Sequence, residues 1–361
     1  MLLSLAPILL LVALLSTSVA LFGSDASYGP NQVALVVAAG ATMLVGWRRG
    51  MSWQQIQDGM VGAITVSIMP MMILLSVGAL IGSWIISGTV PGMIFYGLQL
   101  LNPDIFYAAS AVICALASLS LGSSWTVAGT LGIGLMGIAT TYGLSPAITA
   151  GAIISGAYFG DKLSPLSDTT NLAAAAVGVD LFEHIKNMLW TTLPAFALAL
   201  LFFAIIGSEG AAAPDDITRI RAALSDQFAI TPWVLSPLAL MLAMIYFKIP
   251  AYPAILLCTL CGTAYGAVFQ PEVVRTMALT AHPDSPAPLL QGLWMALFSG
   301  YQSPADMDQL SQLLNKGGLA SMLNTIFLIL TAMTFGGLLD STGILRQLLD
   351  LVLKGVKRTG D

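Results

Sequence analysis

Charged residues are scarce in this sequence. They make up 9% of its 361 residues, against 57% hydrophobic residues, and the mean hydropathy is +0.87. Because an ordinary soluble domain carries about 25% charged residues, this composition excludes one and indicates a membrane protein. The net charge of −5 is informative only through its distribution along the chain. No nucleic-acid partner is expected.

Histidine and cysteine are also few, with two and three copies. No thiolate or imidazole cluster exists in the sequence, which excludes a site for a soft metal. Cys258-x-x-Cys261 lies in apolar sequence and is interpreted as a pair of small packing residues. His184 and His282 are isolated and are interpreted as interfacial residues. We expect no cofactor and no enzymatic activity.

Lysine and arginine are absent before the first apolar run, residues 2–22, although a cleaved signal peptide would need them. This run is therefore predicted to be a transmembrane helix. A membrane span takes about 20 apolar residues, and the sequence predicts an all-α polytopic protein with about 10–11 such segments. The predicted segments are 2–22, 30–47, 66–87, 104–121, 125–142, 145–178 (interrupted), 190–207, 231–246, 251–269, 285–300 (the weakest) and 318–339.

The basic residues fall unequally on the two sides of this trace. With Arg48 and Arg49 assigned to the cytoplasm by the positive-inside rule, eight basic residues lie on that side and four lie outside. Lys162 lies in the membrane. The eight are Arg48, Arg49, Lys186, Lys248, Arg346, Lys354, Lys357 and Arg358, and the four are Arg219, Arg221, Arg275 and Lys316.

The chain also resembles itself. Residues 73–90 and 327–344 share small residues at Gly82/Gly336 and Ser87/Ser341, and the charge of the loops that follow predicts opposite orientations in the membrane. The prediction is an inverted-topology repeat with discontinuous helices. Its parts are a first repeat at 1–207 that contains the ion-site helices, an extracytoplasmic linker at 208–230, and a second repeat at 231–361. The C-terminal part of this second repeat is expected to be missing.

A polar segment, residues 160–171 (GDKLSPLSDTTN), interrupts one apolar run. Ionisable groups within a bilayer cost about 3 kcal/mol each on insertion scales, so they are candidates for a functional site. Pro165 disfavours helix at Ser164, and the helix is predicted to resume near Asp168 with Asp168, Thr169 or Thr170 as its N-cap.

The oxygen atoms of this segment predict a site for Na+ or Li+. Free backbone carbonyls, the carboxylates of Asp161 and Asp168, and neutral side-chain oxygens supply hard ligands. The neutral side chains are those of Ser164, Ser167, Thr169, Thr170 and Asn171. A buried Asp prefers to be protonated, whereas a bound cation favours the charged form, so proton and cation compete for one group. Lys162 either replaces the cation in the empty site or pairs with Asp161 structurally.

A second break, residues 121–126 (LGSSWT), lies in the neighbouring apolar stretch. The hydroxyls of Ser123, Ser124 and Thr126 either line the same site or only bond backbone within their helices.

These segments resemble the NhaC-type Na+/H+ antiporter family of the wider ion-transporter group. The resemblance rests on SGAYFGDKLSPLSDTTNLA at 155–173, on 121–126, and on KGGLASM at 316–322 with Phe335-Gly336-Gly337, and it covers essentially the whole chain. It implies a multi-pass antiporter of the bacterial inner (cytoplasmic) membrane that exchanges internal Na+ for external protons. Family members run on for roughly another hundred residues with a second polar motif, which agrees with the missing part of the second repeat.

Three alternatives remain open at this stage. A Na+- or H+-coupled organic-anion exchanger, such as a malate/lactate antiporter, would need a cationic group or a helix N-terminus for the carboxylate. An intramembrane aspartyl protease is suggested by Tyr158-Phe159-Gly160-Asp161, but its chemistry needs two facing carboxylates. A passive channel would not need so concentrated a titratable cluster. The sequence leaves the oligomeric state undetermined.

Overall fold

The computed structural model of the chain describes residues 2–165, 167, 169–170, 173–174, 179–206, 214–247, 249–303 and 314–348. These described residues are mostly helical and contain no β-strand. Their α-helices are α1 (Leu2–Phe22), α2 (Pro30–Arg48), α3 (Trp53–Ile86), α4 (Thr89–Leu100), α5 (Phe106–Leu121), α6 (Ser124–Gly129), α7 (Leu131–Thr141), α8 (Pro146–Leu163), α9 (Leu181–Ile206), α10 (Pro214–Gln227), α11 (Ser236–Tyr246), α12 (Ala251–Phe269), α13 (Pro271–Ala281), α14 (Pro288–Phe298) and α15 (Leu319–Ser341). Short 3-10 turns occupy Gly23–Ser27, Pro103–Ile105 and Pro232–Leu235.

The all-α polytopic prediction is confirmed. Within the described residues, six helices are long and apolar enough to cross a membrane. The number rises to eight if each of two sharply bent helix pairs is counted as one span. This number is below the predicted 10–11 because several apolar stretches are divided. Residues 125–142 split into α6 and α7 at Gly129–Leu131, and 285–300 forms only the 11-residue helix α14.

The bent pairs agree with the predicted discontinuous helices. The helix Thr89–Leu100 and the one that follows from Pro103 meet at 100°, and a second pair around residues 227–232 meets at 88°. The first bend has a local cause. Asn102 precedes a proline and is extended, and its side chain accepts a hydrogen bond from the backbone N–H of Asp104 at 2.9 Å, which starts the next turn.

Two compact units make up the chain. One comprises Met1–Leu75 and Met322–Asp361, and the other comprises Ser76–Ser321. In the first unit, a buried apolar cluster joins α2, the start of α3 and α15, and its members are Leu35, Ala38, Ala39, Ile56, Phe335 and Leu338. Gln32 donates to Asn324 at 3.2 Å, and Arg49 donates to the carbonyl of Thr342 at 2.6 Å. The predicted repeat boundaries at 207/208 and 230/231 remain a prediction.

The second unit contains the two polar segments, and α5 packs against α8 at its centre. This packing is backbone against backbone because Gly156 and Gly160 face α5. A Cβ atom at Gly156 would lie 2.8 Å from the carbonyl carbon of Ala111, and one at Gly160 would lie 2.7 Å from the Cβ of Ser118. Small residues four apart on a membrane helix allow such an approach. It fixes the register between the ends of α5 and α8, where both polar breaks begin.

Candidate functional site

Helix α8 ends at the main polar segment. Leu163 is its last residue, and Ser164 is extended, as the following Pro165 requires. The backbone N–H of Ser164 donates to the carbonyl of Asp161 at 3.2 Å. Asp161 itself is buried, in the last turn of α8. The carboxylate is therefore held at the point where the helix stops.

Hydroxyl groups beyond the break bond back to the end of α8. Thr170 Oγ1 donates to the carbonyls of Asp161 and Lys162 at 3.0 and 3.1 Å. These carbonyls were expected to be free for a cation, but they already accept hydrogen bonds because unpaired carbonyls at a helix end are costly to leave unsatisfied. Ser167 and Thr169 join their hydroxyls at 2.8 Å.

A serine hydroxyl caps the described residues just beyond the break. The side chain of Ser167 accepts a hydrogen bond from the backbone N–H of Thr170 at 3.4 Å, which is the geometry of an N-cap. Asp168 and Asn171, two predicted site residues, lie outside the described residues.

The second break reaches Asp161 from α6. Helix α5 ends before Gly122, whose φ of +68° is left-handed and favours glycine. Ser123 then caps α6 by accepting from Thr126 N–H at 3.3 Å, and the hydroxyls of Ser123 and Thr126 lie 2.9 Å apart. Ser124 donates its hydroxyl proton to Asp161 Oδ2 at 2.8 Å. The structure thus joins the two breaks through Ser124, while Ser123 and Thr126 bond each other locally.

A cavity of about 280 Å³ opens in front of this pair. Its lining includes predicted site residues from both breaks, together with side chains of α9. They are Ser124, Trp125, Tyr158, Asp161, Lys162, Thr169, Thr170, Ala173, His184 and Met188. Ser124, Asp161 and Thr170 are buried, whereas Lys162 and Thr169 are exposed. Ser164 is fully buried and does not belong to this lining.

His184 is a cavity residue that the sequence analysis placed at the membrane interface. Its Nε2 is buried and has no hydrogen-bond partner among the described residues. The sequence feature that could have indicated this role is its position in the first turn of α9, the helix that follows the polar segment. The other missed signal was the Gly156-x-x-x-Gly160 spacing that brings α5 against α8.

Chemically, the arrangement offers a carboxylate and several hydroxyl oxygens at one wall of a cavity. Oxygen ligands of this kind suit hard cations and protons. The negative charge of a carboxylate at such a wall can be balanced by a proton or by a cation. The grouping can therefore bind one or the other, and the roles of the predicted ion ligands remain predictions.

The Ser124→Ala variant tests the contact between the breaks. For the predicted Na+ site, we expect the apparent KM for Na+ to rise about tenfold, because a hydrogen bond to a charged group is worth about 1.5–3 kcal/mol and the variant loses it. Na+-dependent proton movement in vesicles at a series of Na+ concentrations measures this. Ser124→Thr retains the hydroxyl and should restore most of the affinity.

Ser110→Ala is the matched control for this variant. It also removes a buried serine hydroxyl, but that hydroxyl bonds nothing among the described residues. We expect an unchanged KM. Equal KM values for Ser124→Ala and the unaltered chain would show that the Ser124 contact does not contribute to cation binding.

Apolar spans, helices broken by polar segments and a buried carboxylate at the junction of two breaks define a multi-pass membrane protein with an internal polar site. Comparison with known proteins gives the family. The sequence profile described as "Na+/H+ antiporter family" matches residues 156–360. The chain belongs to this family.

Alignments with known proteins cover nearly all of this chain. It is 35% identical over 335 residues to the malate-2H(+)/Na(+)-lactate antiporter of Bacillus subtilis, covering 92% of this chain and 68% of that protein. It is also 35% identical over 337 residues to the Na(+)/H(+) antiporter NhaC of Alkalihalophilus pseudofirmus, with the same coverage. An uncharacterized Na(+)/H(+) antiporter of Haemophilus influenzae is 34% identical over 357 residues, covering 98% of this chain and 73% of that protein. The resemblance inferred from the motifs is confirmed.

Proposed function

We propose that this protein is a secondary transporter that exchanges cytoplasmic Na+ or Li+ for external protons across the cytoplasmic membrane of a bacterium. The exchange site is the Asp161 cavity. Asp161 carries the proton or the cation, and the hydroxyls around it supply further oxygen ligands. The proposal needs no cofactor, because Na+ and protons are the cargo.

One observation carries this proposal. Ser124 Oγ lies 2.8 Å from Asp161 Oδ2, which brings the two polar breaks to one carboxylate beside a cavity. Broken helices near a buried ionisable group are the usual construction of ion sites in secondary transporters. The family membership and the NhaC relative support the same reading.

Competition at one carboxylate is sufficient for coupled exchange. When Na+ leaves the cavity, the uncompensated anion is unfavourable, so a proton binds before the site can face the other side of the membrane. When a proton leaves, Na+ binds for the same reason. Each crossing thus carries one cation or the other, and a crossing with a bare carboxylate is suppressed.

Proteoliposomes that contain the purified chain and an imposed pH gradient provide the test. Adding NaCl or LiCl should collapse the gradient with saturable kinetics, as followed by a pH-sensitive dye, whereas choline chloride should not. Equal collapse by choline and Na+ would contradict the proposal, because it would mean a proton leak without exchange. The absence of any Na+ response in well-folded protein would also contradict it.

The second candidate is a Na+- or H+-coupled organic-anion exchanger. The malate/lactate relative favours it. Lys316, which lines an apolar cavity in the same unit, also favours it. The vesicle assay separates the two candidates. An organic-anion exchanger needs a carboxylate substrate for turnover, whereas the cation/proton antiporter runs with inorganic salts alone.

A further inference from the structure

A second cavity, of about 340 Å³, lies against α8 nearer its N-terminal end. Its described lining comes from the C-terminal part of α3 and from α4, α6, α7 and α8, and it is almost wholly apolar, including Ile81, Ile85, Ile94, Ile133, Met136 and Ile153. Lys316 is the one charged residue among the described lining residues. Lys316 is exposed, so its charge is available to a ligand that contacts this apolar wall.

The backbone holds Lys316 at a fixed place. Gly317 and Gly318 follow it with left-handed φ angles of +86° and +83°, and Gly318 N–H donates to the carbonyl of Gly78 on α3 at 2.6 Å. The carbonyl of Lys316 accepts from Tyr301 N–H at 3.1 Å. A Cβ atom at Gly317 would lie 2.9 Å from the Cβ of Ile81, so only glycine allows this approach. The lysine stem therefore starts from a rigid point beside the cavity.

The charge of Lys316 is not neutralised within the described part of the chain, where no carboxylate forms an ion pair with it. Its side chain is accessible from the cavity, and the surrounding apolar atoms lower the pKa of Lys316 by disfavouring the charged form. An anion that enters the cavity would reverse this effect. Lys162 belongs to the lining of the Asp161 cavity, whereas Lys316 belongs to this second cavity.

The lining determines which anion fits. Phosphate or sulfate would need several hydrogen-bond donors, whereas the described lining has one lysine among glycines and apolar residues. The volume lies in the range of small-molecule sites and far exceeds the space that one Na+ needs. A carboxylate at the ammonium group, with its carbon chain against the isoleucines, matches both parts of the wall.

We propose that Lys316 and this cavity bind the carboxylate of a small organic acid. Ile154, at the cavity, and Asp161 are both on α8, seven residues or about 10 Å apart along its axis. The anion site and the cation site are therefore two places on one helix. The inference rests on the proposed transport function only in treating the anion as a co-substrate or effector of that exchange.

Binding to the purified chain in a neutral detergent tests this site directly. Choline salts of butyrate and L-lactate are the probes, 1-butanol is the uncharged control, and the melting temperature is the readout, since a ligand of the folded state raises it. We expect a saturable rise with the carboxylates and none with butanol. For Lys316→Met we expect the apparent Kd to increase about tenfold or more.

Two further variants make the test specific. Lys186→Met removes an exposed lysine of α9 and should leave carboxylate binding unchanged. Asp161→Asn should also bind the carboxylates normally while losing Na+-dependent proton exchange. Lys316→Met, conversely, should retain that exchange with inorganic salts. If the unaltered chain bound carboxylates but showed no Na+-dependent proton exchange, this result would contradict the proposed function and leave the carboxylate site standing.

The pH dependence keeps the test decisive if Lys316→Met does not fold. Carboxylate binding needs the charged ammonium group, so it is complete at lower pH and is lost as the pH rises through the lowered pKa of Lys316. Lys316→Arg stays charged and should bind carboxylates at alkaline pH as well. No saturable shift with either carboxylate would overturn the proposal. Equal binding by Lys316→Met would overturn it too, as would stabilisation by phosphatidylglycerol alone, which would make the cavity a lipid site.

Discussion

Asp161→Asn is expected to abolish Na+-dependent proton exchange, with a fall of about a hundredfold or more in the rate at any Na+ concentration. The amide has nearly the same shape as the carboxyl group and can still accept the hydrogen bond from Ser124. It can neither release a proton nor neutralise a cation, so the exchanged charge is lost while the local structure is retained. Fluorescence dequenching in proteoliposomes measures the rate.

Two controls separate chemistry from folding in this experiment. Asp58→Asn removes an exposed carboxylate of α3, in the other unit, and should exchange normally. The melting temperature of Asp161→Asn should stay close to that of the unaltered chain. Exchange at an ordinary rate and KM in Asp161→Asn would remove Asp161 from the site and, with it, the proposed mechanism.

Gly160→Leu is expected to have the second largest effect, which is loss of the folded second unit. Gly160 faces the backbone of α5, and a Cβ there would lie 2.7 Å from the Cβ of Ser118 and closer still to the carbonyl of Ala115. Backbone cannot give way as a flexible side chain can, so we expect a cost at or above about 3 kcal/mol. The fraction of monodisperse protein after extraction and its melting temperature measure this.

Gly151→Leu is the matched control on the same helix. No atom lies within 4 Å of a Cβ built at Gly151, so the same substitution should be tolerated there. Gly156→Leu should behave like Gly160→Leu, because its Cβ would collide with the carbonyl of Ala111. Similar stability of the Gly151 and Gly160 variants would mean that α5 and α8 do not approach as closely as the structure has them.

The helix breaks could be predicted from the sequence because their causes are local. Pro165 acts on the residue before it, and Gly122 supplies a left-handed conformation at the end of α5. The described residues contain fewer long apolar helices than the number of predicted segments, because a hydropathy run records composition and not where a helix is divided. Residues 125–142 are apolar throughout, yet they form two short helices around Thr130.

The partners of Asp161 could be predicted only in part. Thr170 lies in the same polar segment, so its proximity follows from the chain, whereas Ser124 is 37 residues away in the sequence. Composition gave Ser124 no preference over Ser123, because both are serines of one break. The choice between them depends on how α6 is rotated against α8, and no local pattern encodes that rotation.

The sequence by itself determined that this is an all-helical membrane protein of an antiporter family with a polar segment at 160–171, because composition and motif are properties of the linear chain. Only the tertiary structure decided which oxygen atoms meet Asp161 and that Lys316 lines an apolar cavity. The reason is physical. These placements depend on backbone contacts at Gly160 and Gly317, where distant parts of the chain approach within a few ångströms.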